Sequence, residues 1–185
     1  MKREQYNNAT LDEKVQLEEE YKLHTDRKEK ARLEKASDKA KASVANSDWH
    51  AVTADLQSVL HTPCGNVSTL YYARKLSVYN FTVYDQVSGN GFCFLWNETQ
   101  GQRGANEIGS ILYIYLKEYV KKVKHVIITT DSTVGQNHNQ YITCLLLLAA
   151  QVLPFETIEQ KFLETGHTQM EVDSVHSTID SHRKT

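Results

Sequence analysis

Residues Val126-Ile127-Ile128-Thr129-Thr130 constrain this chain more than any other stretch. A row of β-branched side chains is stiff at χ1 and favours extended backbone. The run is short and its apolar residues do not alternate with polar ones, which suits a strand buried on both faces. Such a strand belongs to the parallel part of an α/β sheet, between covering helices. Its flanks agree. Asn106 to Val123 reads as an amphipathic helix, with Ile108, Ile111, Leu112, Tyr115, Leu116 and Tyr119 at 3-4 spacing. Asn137 to Leu153 is a second helix, closed by Pro154. Thr157 to Leu163 reads as a strand, Gly166-His167-Thr168 as a turn, and Glu171 to His182 as a last helix.

Upstream, the texture is that of a meander. Trp49 to Leu60 is expected as a strand ending in the loop His61-Thr62-Pro63-Cys64-Gly65-Asn66. Leu70 to Tyr84, rich in Tyr and Val, is expected as a second strand, and its aromatic residues belong to the core and sheet face rather than to a base-stacking platform. Ser88-Gly89-Asn90-Gly91 is a turn, and Phe92 to Trp96 a third strand. The expected order is β-β-β-α-β-α-β-α: a mixed α/β sheet in which a meander feeds a parallel half.

Charge divides the chain. It carries 21 Lys+Arg and 23 Asp+Glu, for a net charge of −2, which rules out a uniformly basic nucleic-acid coat but not a local patch. Residues 1–47 hold 11 of those basic and 10 of those acidic side chains. Residues 1–47 are therefore expected as a charged helical arm, helical over about Leu11 to Ala45, and residues 48–185 as the globular body. Leu11, Val15, Tyr21 and Leu33 are too sparse for a coiled-coil seam. The arm reads as a solvated helix, with a basic face on nucleic acid as the second reading.

Several classes receive no support. The 3 cysteines, Cys64, Cys93 and Cys144, form no C-x-x-C pair, so neither a zinc knuckle nor a disulfide framework is indicated. Met1-Lys2-Arg3-Glu4-Gln5 has no apolar core of a signal peptide after it, and the run Cys144 to Ala150 is too short to span a bilayer. The expected location is nuclear or cytoplasmic, not secreted, and no membrane partner is expected. On that basis the N-x-S/T sequons at Asn8, Asn66, Asn80 and Asn97 read as chance matches, Asn80 falling inside a strand. There is no P-loop and no G-x-S-x-G elbow.

Four acids stand out in the body. Asp55 lies in the first strand, Glu107 in the first turn of the first body helix, Asp131 at the end of the central strand and Asp173 at the start of the last helix. Each has an ordinary reading: an edge residue, an acid favoured by a helix dipole, a turn residue, a cap. His176 and Asp180 share a helix face with Asp173, which places His176 either beside a metal or phosphate or simply on an exposed helix face. Glu171 is an alternative third carboxylate, but it points about 200° away from Asp173 on a helix. Gln136, Asn137 and Asn139 stand at a helix entry, where their amides suit a nucleic-acid backbone or plain N-capping. Lys117, Lys121, Lys122 and Lys124 suit a helix C-terminus or phosphate.

The element order is that of the ribonuclease H-like fold, and specific segments extend the resemblance. In order they are Thr53-Ala54-Asp55-Leu56-Gln57, the Tyr71 to Asn80 stretch, Leu95-Trp96-Asn97-Glu98 and Gly104-Ala105-Asn106-Glu107-Ile108. They continue with Asp131-Ser132-Thr133-Val134-Gly135-Gln136-Asn137-His138-Asn139, Gly166-His167-Thr168 and Glu171-Val172-Asp173-Ser174-Val175-His176. Over about residues 20–182 the chain resembles a metazoan, transposon-associated domain family of uncharacterised function with a predicted ribonuclease H-like core. The resemblance implies that Asp55, Asp131 and Asp173 form an acidic triad holding two Mg²⁺ or Mn²⁺ ions, with Glu107 as a fourth member, and that the four converge on one sheet edge. It implies a transposase- or integrase-like nuclease or polynucleotidyl transferase, with nucleic acid, DNA ahead of RNA, as partner. The family's C-x-x-C element upstream of a histidine like His24 is missing here, and Ser132-Thr133-Val134 replace its usual Cys or Gly. A partial copy, cut at its C-terminal end, is the expectation. The rival reading is a transposon-derived module that binds nucleic acid or protein without catalysis. Oligomeric state is left open.

Overall fold

A computed structural model describes residues 10–65, 67–163 and 170–183. It is an α/β structure with a mixed sheet of six strands and, among the described residues, five helices, a helix coming first. Helix α1 spans Leu11–Ala42, strand β1 Trp49–Leu56, β2 Leu60–Thr62 and the short helix α2 Ser68–Tyr72. Then come β3, Leu76–Asp85, β4, Gly91–Asn97, and α3, Ala105–Glu118. The last elements are β5, His125–Thr130, α4, Gln140–Val152, β6, Thr157–Phe162, and α5, Val172–Arg183.

β1 pairs antiparallel with β3 and parallel with β5, and β5 pairs parallel with β6. β4 runs antiparallel along β3. β2 continues the line of β1. Leu56 opposes Phe81, the Gln57 N–H donates to the Asn80 carbonyl at 2.9 Å, and Leu60 opposes Val78. Ser58 and Val59 thus stand against Tyr79 alone, a bulge that bends the strand just past Asp55. That bulge splits the strand expected over Trp49 to Leu60.

The second expected strand, Leu70 to Tyr84, begins only at Leu76, because Ser68–Tyr72 is helical. Strand propensity reflects fit to a half-buried pleated surface, and Tyr72 is 86% exposed.

Strand alternation divides the sheet into two faces. Val52, Ala54, Leu56, Phe81, Val83, Val126 and Ile128 pack with Ile108, Leu112 and Leu116 of α3 and with Ile142, Leu146 and Ala149 of α4 as one core. The opposite face is polar over β1 and β3, with Thr53, Asp55 and Gln57 beside Asn80 and Thr82. Helix α5 packs over β1 and β3 and helix α1 over β1. A small second cluster of Leu163, Met170 and Val172, with Ala31 of α1 and Tyr84, closes this side. β5 is therefore covered on both faces, as its β-branched run requires.

The first turns of α1 leave Val15, Tyr21 and Leu23 exposed, but its second half is docked, with Asp38 and Ala42 buried. Only the first part of the arm matches a solvated helix. Among the described residues no helix is long and apolar enough to cross a membrane.

Candidate functional site

The site begins with register. Ala54 of β1 pairs with Thr130 of the parallel strand β5, the last pair of that ladder, and Asp55 and Asp131 follow it, near enough for the Asp131 charge to act on Asp55. Neighbouring strands are only about 4.8 Å apart. Both acids stand at the carboxyl ends of parallel strands. β1 is also where the sheet changes sense, antiparallel on one side and parallel on the other. Crevices at such points are the usual ligand sites of open α/β sheets.

Helix α5 supplies the other groups. Asp173 is in its first turn and accepts from the Met170 N–H at 2.9 Å. His176, one turn on, is buried. Asp55, Asp173 and His176 each offer a ligand atom, and these atoms all lie within 4.8 Å of one another. His176 Nε2 is 3.1 Å from Thr82 Oγ1, and Thr82 is the cross-strand partner of Asp55. Asn80 Nδ2 donates to Thr82 Oγ1 at 3.1 Å and to Gln57 Oε1 at 2.9 Å, while Gln57 Nε2 donates to the His176 carbonyl at 3.1 Å. This buried ring of Gln57, Asn80, Thr82 and His176 fastens α5 to β1 and β3.

Asp131 is oriented by the loop that follows it. The Thr133 hydroxyl donates to Oδ2 and Asn137 Nδ2 to Oδ1. Asn137 is fully buried, and Gln160 Nε2 donates to its carbonyl at 2.9 Å.

The electrostatics follow from crowding. Burial, then the neighbouring Asp131, then Asp173 push the Asp55 carboxyl up to about 7, against a lowering hydrogen bond from the Leu56 backbone. Burial lowers His176, with Asp173 and Asp180 acting the other way, so its imidazole is neutral at pH 7 and able to serve as a ligand.

The other residues singled out in the sequence have different places. Glu107 Oε1 accepts from the Gln102 N–H at 2.9 Å, and Gly101 packs so tightly on the Glu107 side chain that a Cβ there would lie 2.9 Å from its Cγ. Glu107 lines a cleft of about 630 Å³ with Val134, Gly135, Asn139 and Tyr141, and is not in the Asp55–Asp173–His176 group. Of the two readings of Asn137 and Asn139, a nucleic-acid backbone contact or plain N-capping, Asn139 shows the second, and Asn137 shows neither. Asn137 braces Asp131. Asn139 is the N-cap of α4, accepting from the Tyr141 and Ile142 N–H groups and donating to the Val134 and Gln136 carbonyls. Gln136 is half-buried and contributes that carbonyl.

Glu171 accepts from Lys35 at 2.6 Å and from the Thr53 hydroxyl at 3.4 Å. Burial raises its carboxyl, but Lys35, the backbone and Lys39 outweigh it, and the net direction is down. Of the lysines around residues 117–124, Lys121 takes the helix C-terminus reading and Lys124 has acid partners. Lys121 Nζ donates to the Lys117 carbonyl at the end of α3, and Lys124 pairs with Asp48 and Glu156 at the amino end of β5. Gly166-His167-Thr168 lies outside the described residues.

Sequence reasoning missed the ring beneath the acids. Its signal was present: Thr53, Asp55, Gln57 and Asn80, Thr82 recur at period 2 inside otherwise apolar strands, a polar stripe on a face that has to be covered.

Fold and site together define an α/β mixed-sheet domain with acids gathered at the carboxyl ends of its central parallel strands. Residues 74–185 match the family described as a domain of unknown function, DUF7869, and the chain belongs to that family. The match takes in Glu107, Asp131, Asp173 and His176, whereas Asp55 and α1 lie upstream of it. No curated protein matches the chain.

Proposed function

We propose that this domain is a divalent-cation-dependent nuclease or polynucleotidyl transferase of the ribonuclease H-like, transposase type. The observation that carries the reading is the grouping of Asp55 with Asp173 and His176 from α5, with Asp131 outside that group but near enough for its charge to act on Asp55. Setting β2 and α2 aside, the body runs β-β-β-α-β-α-β-α, the order the resemblance implies.

The residues fit a hard cation. Burial first, then the charges of Asp131 and Asp173, raise the Asp55 carboxyl, and a bound cation would favour its ionised form. Asp55, Asp131 and Asp173 would hold Mg²⁺ or Mn²⁺, and the imidazole beside them suits Mn²⁺ better than Mg²⁺. Bound divalent ions activate a nucleophilic water or hydroxyl and stabilise the departing oxygen of a phosphodiester. The chain's own residues prepare the site. Asn137 and Thr133 fix the Asp131 carboxylate, Thr82 fixes the His176 ring, and Asp55 releases its proton as the site fills.

The test is cleavage of end-labelled DNA and RNA by the full chain with Mg²⁺ or Mn²⁺. Cation-dependent cleavage that falls at least about 100-fold in Asp131→Asn supports the reading. No cleavage, with Asp131→Asn indistinguishable from the parent, overturns it. The second reading, a binding module without catalysis, draws on α1, whose exposed residues include Arg27, Lys30, Arg32 and Lys39. DNA binding that falls steeply with salt and persists without divalent cation would favour it.

A further inference from the structure

We infer that α1, outside the family match, is a positioning element of the acidic site, and that Lys35 acts through Glu171 to set where α5 presents Asp173 and His176. The inference rests on the reading of those residues as one site.

The start of α5 is held from three directions. Met170 and Val172 are buried with Leu163, Tyr84 and Ala31 of α1. Between them, Glu171 reaches back to Lys35 Nζ at 2.6 Å and to Thr53 Oγ1 at 3.4 Å. The Lys35 side chain is 13% exposed and that of Glu171 30%, so this charge-assisted bond is largely out of water, where such bonds are strongest. Lys35 in turn is fixed by its own helix. One turn on, Asp38, with a side chain 3% exposed, accepts from Lys161 Nζ at 2.7 Å.

Register shows what this clamp sits against. Thr53 pairs with Thr129, and Thr129 with Lys161. The clamp therefore grips the row of the sheet two residues before Asp55 and Asp131, on their face. Glu171 is likewise two residues before Asp173. Without Lys35, Glu171 would be a half-buried carboxylate with no cation against it, and the start of α5 would lose its charged tie to α1. Lys35 turns that acid into an anchor. It touches none of the acid group itself and is a positioning residue.

The experiment uses the full chain, free of divalent cation, and follows amide hydrogen exchange in α5 against α3 and α4. Lys35→Glu is expected to speed exchange in α5 about 10-fold or more while α3 and α4 keep their protection. The swap Lys35→Glu with Glu171→Lys, and the conservative Lys35→Arg, are expected to restore it. Mn²⁺ affinity measured on the same proteins should fall about 10-fold in Lys35→Glu and recover in both rescues. Should Lys35→Glu lose protection throughout, Glu171→Gln carries the same comparison. Unchanged α5 exchange in the single variants, or failure of both rescues, overturns the inference. Absence of Mn²⁺ binding by the parent chain would instead strike the cation reading, and the exchange arm still decides this one.

Discussion

Asp55 is held on β1 between burial and two other acids. Its carboxyl stands at about 7 in the fold against an ordinary 3.8. The unfolded chain therefore gives up this proton first. Stability is lost as pH rises from about 4 to about 7 and stays level above that. Asp55→Asn removes a buried charge and its repulsion by Asp131 and Asp173, and is expected to stabilise the cation-free protein at pH 8 by on the order of 2 kcal/mol, with little change at pH 4, read by urea unfolding at both values. Thr82→Val tests the ring beneath. It keeps the volume but takes the hydroxyl from His176 and Asn80, and should cost about 1–3 kcal/mol for the buried groups left unpaired. Thermal unfolding measures it.

Elements carry the acids to their places, and here the sequence was legible to different depths. The helices showed clearly, because Ile108, Leu112, Tyr115 and Leu116 repeat at 3-4 spacing against a core. The parallel half showed through Val126 to Thr130. The bulge after Leu56 and the helix at Ser68–Tyr72 did not, since both depend on what surface the sheet offers rather than on residue type. The sequence marked Asp55, Asp131 and Asp173 on three separate elements, and it offered phosphate contact or N-capping for Asn137 and Asn139 without deciding between them. An amide at a helix entry has the same sequence signature whether it meets a phosphate, a carboxylate or its own backbone. Asn139→Ala should cost about 1 kcal/mol of stability by urea unfolding, the worth of an N-cap. An unchanged midpoint would mean that Asn139 is not spent on the cap.

At the scale of the whole molecule, the charged arm is not an appendage. Its second half covers the polar face of the sheet and anchors there through Asp38 and Lys161. Asp38→Ala, which leaves Lys161 facing Glu159 alone at 3.8 Å, is expected to cost about 2–3 kcal/mol in thermal or urea unfolding. The arm gives Lys35 to Glu171 of the body and takes Lys161 of the body on its own Asp38, so charges of both signs tie it to the sheet. The measurement closest to the central claim is calorimetric titration of the full chain with Mn²⁺ at pH 7.5, in parent, Asp55→Asn and Asp173→Asn forms. The account predicts saturable binding in the parent that weakens at least about 10-fold in each variant. No binding by the parent, or equal binding by all three, would contradict it.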